Sequence, residues 1–272
     1  MDRGWSDLIA VMLVLFFGWF MNESRAYARE GYALDFDGIN DYLEIPADPS
    51  LDVTAEITME AWLYWEGPLG VASFQIILNK DPVVFEMSIG DNTGNSKFLW
   101  ALGDVSSFAP TVGSGWKDGG AIVRDEWAHV AMVYSGTQAK TYINGLLRTT
   151  YGASGDIRSR PNQPVRIGMR DLTASPSFFN GLIDEVKIWN RGLPQDEIVE
   201  GMEMRLRGDE EGLVAYWNFD IGSGQYVVDL SPNKNHARLG STSESDENDP
   251  RWVSSEVPAE IPLLTENWVL YE

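Results

Sequence analysis

The sequence predicts an all-β chain, one large domain of antiparallel strands carrying a single short helix. Three observations predict it. Short stretches alternate apolar and polar residues along most of the chain, as Ile57-Thr58-Met59-Glu60-Ala61-Trp62-Leu63-Tyr64 does. Turn residues separate them, and Asn144-Gly145 between residues 140–143 and 146–149 is the strongest hairpin signal, because both accept the positive φ of a type I′ turn. Helical periodicity shows in one place, after Pro194.

At 272 residues the chain is long enough to bury a sizeable core in one β domain. With 44% hydrophobic residues and eleven Trp, most of it should be ordered. The net charge of −21 repels phosphate backbones and anionic lipid, which excludes nucleic acid as a partner, and the same acidity suits divalent cations. There is no Cys, so disulfides, thiolate catalysis and the usual structural zinc sites are excluded.

In chain order, residues 8–20 form an apolar run too short for the roughly 20 residues of a membrane-spanning helix. With Ala26-Tyr27-Ala28 as a small-x-small cleavage site, residues 1–28 are expected to be a signal peptide and the protein to be secreted, at the cell surface or periplasmic. Asp2 and Asp7 beside Arg3 weaken the leading positive charge, so an uncleaved anchor stays open, and only then would a membrane be a partner. Residues 31–46 read as two strands around an Asp-Gly-Ile-Asn-Asp turn. Residues 57–64, 74–79, 83–89, 97–102, 126–134 and 164–168 read as further strands, and 103–120 as a long rim loop. In 181–191, Leu182, Asp184, Val186 and Ile188 share one strand face, so a carboxylate is expected on the core side, hydrogen-bonded, paired or bound to metal. Pro194, then Gln195, Asp196 and Glu197, then Ile198, Val199, Met202 and Leu206, mark a short amphipathic helix near 194–206. In 213–220 the inward set is Leu213, Ala215, Trp217 and Phe219. Residues 241–250, Ser-rich and acidic, should be a mobile surface loop.

Gly181-Leu182-Ile183-Asp184-Glu185-Val186-Lys187-Ile188-Trp189-Asn190-Arg191 followed by Leu193 resembles the closing signature of laminin G-like domains, bacterial secreted members of the concanavalin A-like lectin and glucanase superfamily. The opening Phe36-Asp37-Gly38-Ile39-Asn40-Asp41, the strand Trp127-Ala128-His129-Val130 with the Asn144-Gly145 hairpin after it, and residues 212–239 resemble the same family. The resemblance covers about residues 31–255 and implies a two-sheet antiparallel jelly-roll sandwich over 29–255, followed by a tail, 256–272. A second copy would need a second opening motif, and only one is found.

The resemblance also implies chemistry. In such domains the opening loop and the Asp of the closing strand lie near each other and often hold calcium. Asp37, Gly38 through its carbonyl, Asn40 and Asp184, with Asp41 as a substitute, are therefore expected to hold a structural Ca2+. The competing reading has Asp37 and Asp41 capping their own turn and Asp184 accepting from neighbouring amides. For glycan binding, Phe108, Trp116 and Phe178 supply rings in loop-like sequence, with Arg170 and Asp171 for hydroxyls, whereas Trp62, Trp127 and Trp217 read as core. The Glu-x-Asp-x-x-Glu pattern of laminarinase-type hydrolases is absent: Leu182 and Lys187 flank Asp184, and Trp62 follows Glu60. His129 reads as a structural hydrogen-bonded His, and no nucleophile elbow or phosphate loop occurs. The expectation is a secreted, calcium-stabilised, non-catalytic binding or adhesion module for an extracellular carbohydrate or protein. An envelope-anchored structural domain without glycan affinity is the alternative, and a hydrolase using acids such as Glu60 or Glu185 a remoter one.

Overall fold

Two nine-stranded antiparallel sheets face each other in the computed structural model, which describes residues 31–68, 74–80, 83–90, 96–107, 111–112, 115–170 and 177–258. The first sheet runs Arg251–Ser254, Tyr32–Asp37, Asn180–Trp189, Ile57–Trp65, Trp127–Tyr134, Gln138–Ile143, Leu146–Ser154, Ser106–Ser107, with Leu213–Trp217 also paired to Asn180–Trp189. The second runs Tyr226–Val227, Ala237–Leu239, Leu43–Ile45, Val165–Ile167, Phe74–Lys80, Phe85–Gly90, Lys97–Leu102, Trp116–Ala121, Thr111–Val112. A small hairpin, Met169–Arg170 with Ser177–Phe178, stands apart. This is the predicted sandwich, and among the described residues it carries one short α-helix, Gln195–Glu203.

Alternation builds the core. Leu34, Phe36, Met59 and Leu63 from the first sheet meet Leu78, Phe85, Met87, Trp100 and Ile167 from the second in one cluster. Each such side chain contributes about 1.5–3 kcal/mol when fully buried. The Asn144-Gly145 turn has φ of 54° and 70°, as the hairpin signal requires.

The strand Asn180–Trp189 departs from the sequence reading. Its pairing with Ile57–Trp65 shifts register between Asp184 and Lys187, and Glu185 takes a φ of 54°. One extra residue exchanges the faces beyond it, so Ile183, Val186 and Ile188 enter the core while Asp184, Lys187 and Trp189 point outward. Asp184 is thus not a core-face acid. Trp62 is also turned outward, packing with Met202, Val257 and the partly buried Trp127.

Two loops are more ordered than their composition predicts. The stretch 103–120 contains Ser106–Ser107, Thr111–Val112 and the start of Trp116–Ala121. Gly119 and Gly120 hide that last strand, yet a Cβ on Gly119 would lie 2.8 Å from Phe98 Cδ1, so close packing requires glycine there. In 241–250, Asp246 accepts from Asn248 N and Ser241 Oγ, each at 2.8 Å, and Asn248 O accepts from Tyr42 N at 3.2 Å. Side-chain turns hold this acidic stretch to the sandwich.

The helix ends at Glu203, short of the predicted 206, and lies on the outer face of the first sheet. Ile198 and Leu193 pack there against Val133, Tyr142, Trp189 and Tyr216.

Candidate functional site

Each sheet carries a polar cluster on its outer face. On the first sheet, Ile57–Trp65 supplies Glu60, Trp127–Tyr134 supplies His129, and the bulged strand supplies Asp184, Glu185 and Lys187. Trp189 Nε1 donates to Glu60 Oε1 at 2.7 Å, and His129 Nε2 lies 3.4 Å from Glu60 Oε2. Lys187 Nζ donates to Gly201 O at 2.9 Å and sits 3.7 Å from Glu185 Oε2, which accepts from Tyr216 Oη at 2.5 Å. Trp62 Nε1 donates to Met202 O at 3.3 Å. The carboxyl end of the helix thus receives an ammonium and an indole, the polarity its dipole favours.

Burial pushes the His129 imidazole below its ordinary value. Burial alone would raise Glu60, but His129 and Lys187 outweigh it and hold the carboxyl below its usual range. Asp184 is raised well above the usual range by burial and by Glu185; it accepts from Glu185 N and Ser255 Oγ, both at 2.7 Å. Glu60 is 0% exposed and Glu185 1% exposed, so neither presents its carboxylate to a sugar. This cluster anchors the helix and the segment containing Ser255.

Asp184 does not join the opening turn. The register pairs Asp37 with Asn180, so Asp184 lies four positions farther along its strand, about 13 Å away at roughly 3.3 Å per residue. Asp37 Oδ1 accepts from Ile39 N at 2.8 Å and Asn40 N at 3.2 Å, and Asp41 Oδ2 accepts from Asp37 N at 2.8 Å. Asp37, Gly38, Asn40 and Asp41 therefore share a self-capped turn to which Asp184 does not reach, and among the described residues no three acids or histidines gather as a metal cage. The resemblance brought the two acids to neighbouring strands, but not to the same level of them.

The second sheet's outer face carries the more accessible cluster. Phe85, Met87 and Ile89 enter the core, which turns Glu86 and Ser88 outward beside Asn79. Asn79 Nδ2 donates to Glu86 Oε2 at 2.9 Å, and Trp116 Nε1 donates to Glu86 Oε1. Arg170 Nη1 lies 3.3 and 3.4 Å from the two Glu86 oxygens, and its guanidinium sits 4.6 Å from the centre of the Trp116 ring. Phe74 packs on the same indole at 5.4 Å. Asn79 Oδ1 and Ser88 Oγ are buried without a partner among the described residues.

Of the predicted ligand residues, the structure brings Trp116 and Arg170 together and places Phe178 half-buried opposite Met169 in the Arg170 hairpin. Phe108 and Asp171 lie outside the described residues. Sequence reasoning missed Glu86, Asn79 and Phe74. The available signal was the parity of Phe85-Glu86-Met87, which puts a carboxylate on the outer side of a central strand.

A search of curated protein sequences returns no match. Among solved structures, a candidate carbohydrate-binding protein from Bacteroides ovatus superimposes with a TM-score of 0.65 at 16% identity, over 85% of this chain and 62% of its own. The chain therefore spans under two thirds of that protein. A SAP-like pentraxin from Limulus polyphemus gives a TM-score of 0.49 at 14% identity, over 78% of this chain and 95% of its own. Domain 4 of the arabinanase AbnA from Geobacillus stearothermophilus gives 0.42 at 21% identity, over 58% and 71%. At 16% identity the likeness to the Bacteroides ovatus protein concerns the fold. The sequence profile of the concanavalin A-like lectin/glucanases superfamily matches residues 37–199, more than half of the chain, and the protein belongs to that superfamily.

Proposed function

We propose that the protein is an exported, non-catalytic carbohydrate-binding module that takes its glycan on the outer face of the second sheet, over Arg170 and Trp116, with Glu86 and Asn79 buried beneath them as supports. The observation that carries this reading is the guanidinium of Arg170, bonded through Nη1 to a buried carboxylate and set over an indole. A planar fork set in advance loses little freedom when it donates to sugar hydroxyls. The description of the Bacteroides ovatus protein as carbohydrate-binding supports the ligand class.

One feature favours binding over turnover. A glycosidase works with two opposed carboxylates that exchange protons with the substrate, whereas Glu86 is engaged by Trp116, Asn79 and Arg170. Export rests on the apolar run 8–20 and Ala26-Tyr27-Ala28, which lie outside the described residues. The test is binding of the parent and of Trp116→Ala to an array of extracellular polysaccharides. The parent should bind and the variant should lose about tenfold or more, the effect of one charge-assisted contact worth about 1.5–3 kcal/mol. Equal binding by both proteins would move the site elsewhere.

A further inference from the structure

The outward residues of the second sheet form a row that extends well past Arg170. The register pairs Tyr226 with Arg238, Arg238 with Glu44, Glu44 with Arg166, Arg166 with Asn79, and Asn79 with Glu86. Their neighbours along each strand, including Val227, Ala237, Leu43, Ile167, Leu78 and Phe85, belong to the core, which fixes the outward parity of the whole row. Six strands at about 4.8 Å each give a track about 24 Å long, perpendicular to the strands.

The row has an aromatic side chain at each end and fixed guanidiniums between. Tyr226 is 52% exposed at one end, and Trp116 and Phe74 support Arg170 at the other. Arg166 places Nη2 at 3.0 Å and Nε at 3.2 Å from Glu44 Oε2, and Arg238 Nη2 lies 3.5 Å from Glu44 Oε1. Arg238, Arg166 and the Arg170–Glu86 pair thus recur on alternate strands, about 10 Å apart. In a chain of net charge −21, this line holds three arginines against two glutamates, so the protein's acidic excess is not expressed here.

Resting on the glycan reading above, we propose that this row binds an extended linear polysaccharide laid across the strands from Arg170 to Tyr226. The strand spacing is close to the length of one sugar ring, so successive rings of a straight chain meet successive strands. Arg170, Arg166 and Arg238 offer donors and Glu44 an acceptor to ring hydroxyls along the track, above the buried Asn79 and Glu86, and Tyr226 offers a flat face to the last ring. A monosaccharide or a compact branched glycan would engage a single cluster.

The experiment measures calorimetric binding of linear gluco-, manno-, xylo- and galacturono-oligosaccharides, from disaccharide to octasaccharide, to the full chain, to Tyr226→Ala and to Tyr226→Phe. For the series that binds, affinity should rise with length until about a hexasaccharide covers the row, then level off. Tyr226→Ala should weaken the longest ligands about three- to tenfold and leave the shortest unchanged, and Tyr226→Phe, which keeps the ring, should bind like the parent. Because Tyr226 is exposed, neither variant threatens the fold. Affinity independent of length, with short sugars still sensitive to Trp116→Ala, would overturn the row and leave the local site standing. Length-dependent binding indifferent to Tyr226→Ala would also overturn the row as drawn. Binding of no oligosaccharide would overturn both readings.

Discussion

Glu60 and Glu86 are the same device placed on opposite sides of one sandwich. Each is a fully buried carboxylate on the outer face of its sheet, each accepts from an indole N–H, Trp189 or Trp116, and each has a cation close by, Lys187 or Arg170. They differ in what lies above them. Over Glu60 the roof is a helix whose backbone accepts from Lys187 and Trp62, whereas over Glu86 it is the Arg170 side chain, 17% exposed, stacked on a half-buried Trp116. A buried acid therefore does not by itself mark a functional site; access through its roof decides.

Removing the cation from the sealed side should have the largest effect. Lys187→Met leaves Glu185 and Glu60 without their buried ammonium, and breaking such a pair typically destabilises by about 3–5 kcal/mol. Urea unfolding should show that loss, while glycan affinity of the folded fraction stays at the parent level. Because Glu60 titrates below its ordinary range, its stabilisation is present above that range and disappears as pH falls through the lowered value, so parent stability should fall in acid. A variant that unfolds no more easily than the parent would show that the two faces do not differ in this way.

A third buried acid sharpens the contrast by having acids for neighbours. Asp41 is 5% exposed, and burial raises it to about 6, with Asp37, Asp35 and Asp249 adding to the shift. A raised carboxyl stabilises the fold fully below its unfolded value of 3.8, and this is lost as pH rises through about 6. Asp41→Asn should therefore gain stability at pH 7, up to about 3 kcal/mol, and little at pH 4. Asn keeps an oxygen for Asp37 N. Thermal melts across that range, with and without calcium, also ask whether the opening turn holds a cation, since bound calcium would make the parent acid favourable and reverse the sign.

The fold was legible because its signals are local: alternation in Ile57–Trp65, the Asn144-Gly145 turn and the Pro194 start each act within a few residues. The site was legible only in pieces. Trp116 and Arg170 stood out by residue type, but the carboxylate that joins them sits 84 positions from Arg170 in an ordinary strand, and only pairing reveals it. Asp184 was misplaced for a physical reason: one extra residue inserted in the strand at Glu185 leaves almost no mark in sequence, yet it reverses which side chains enter the core. Asp184 stands apart from the opening turn through register, since residues on adjacent strands meet only when their levels match.

The smallest expected change in stability gives the most direct comparison of the two roofs. Arg170→Lys keeps a cation over Glu86 but replaces a planar fork stacked on Trp116 by a point charge on a flexible stem. Because Asn79 and Trp116 continue to donate to Glu86, and the cation lies at the protein surface, unfolding free energy should change by about 1 kcal/mol or less. Glycan affinity should nevertheless drop about tenfold, because an ammonium presents neither the fixed donors nor the flat face. Denaturant titration and calorimetry on the same preparation separate the two quantities. A stability loss near that of Lys187→Met, with binding unchanged, would mean that Arg170 closes a structural cluster as the helix does on the other side.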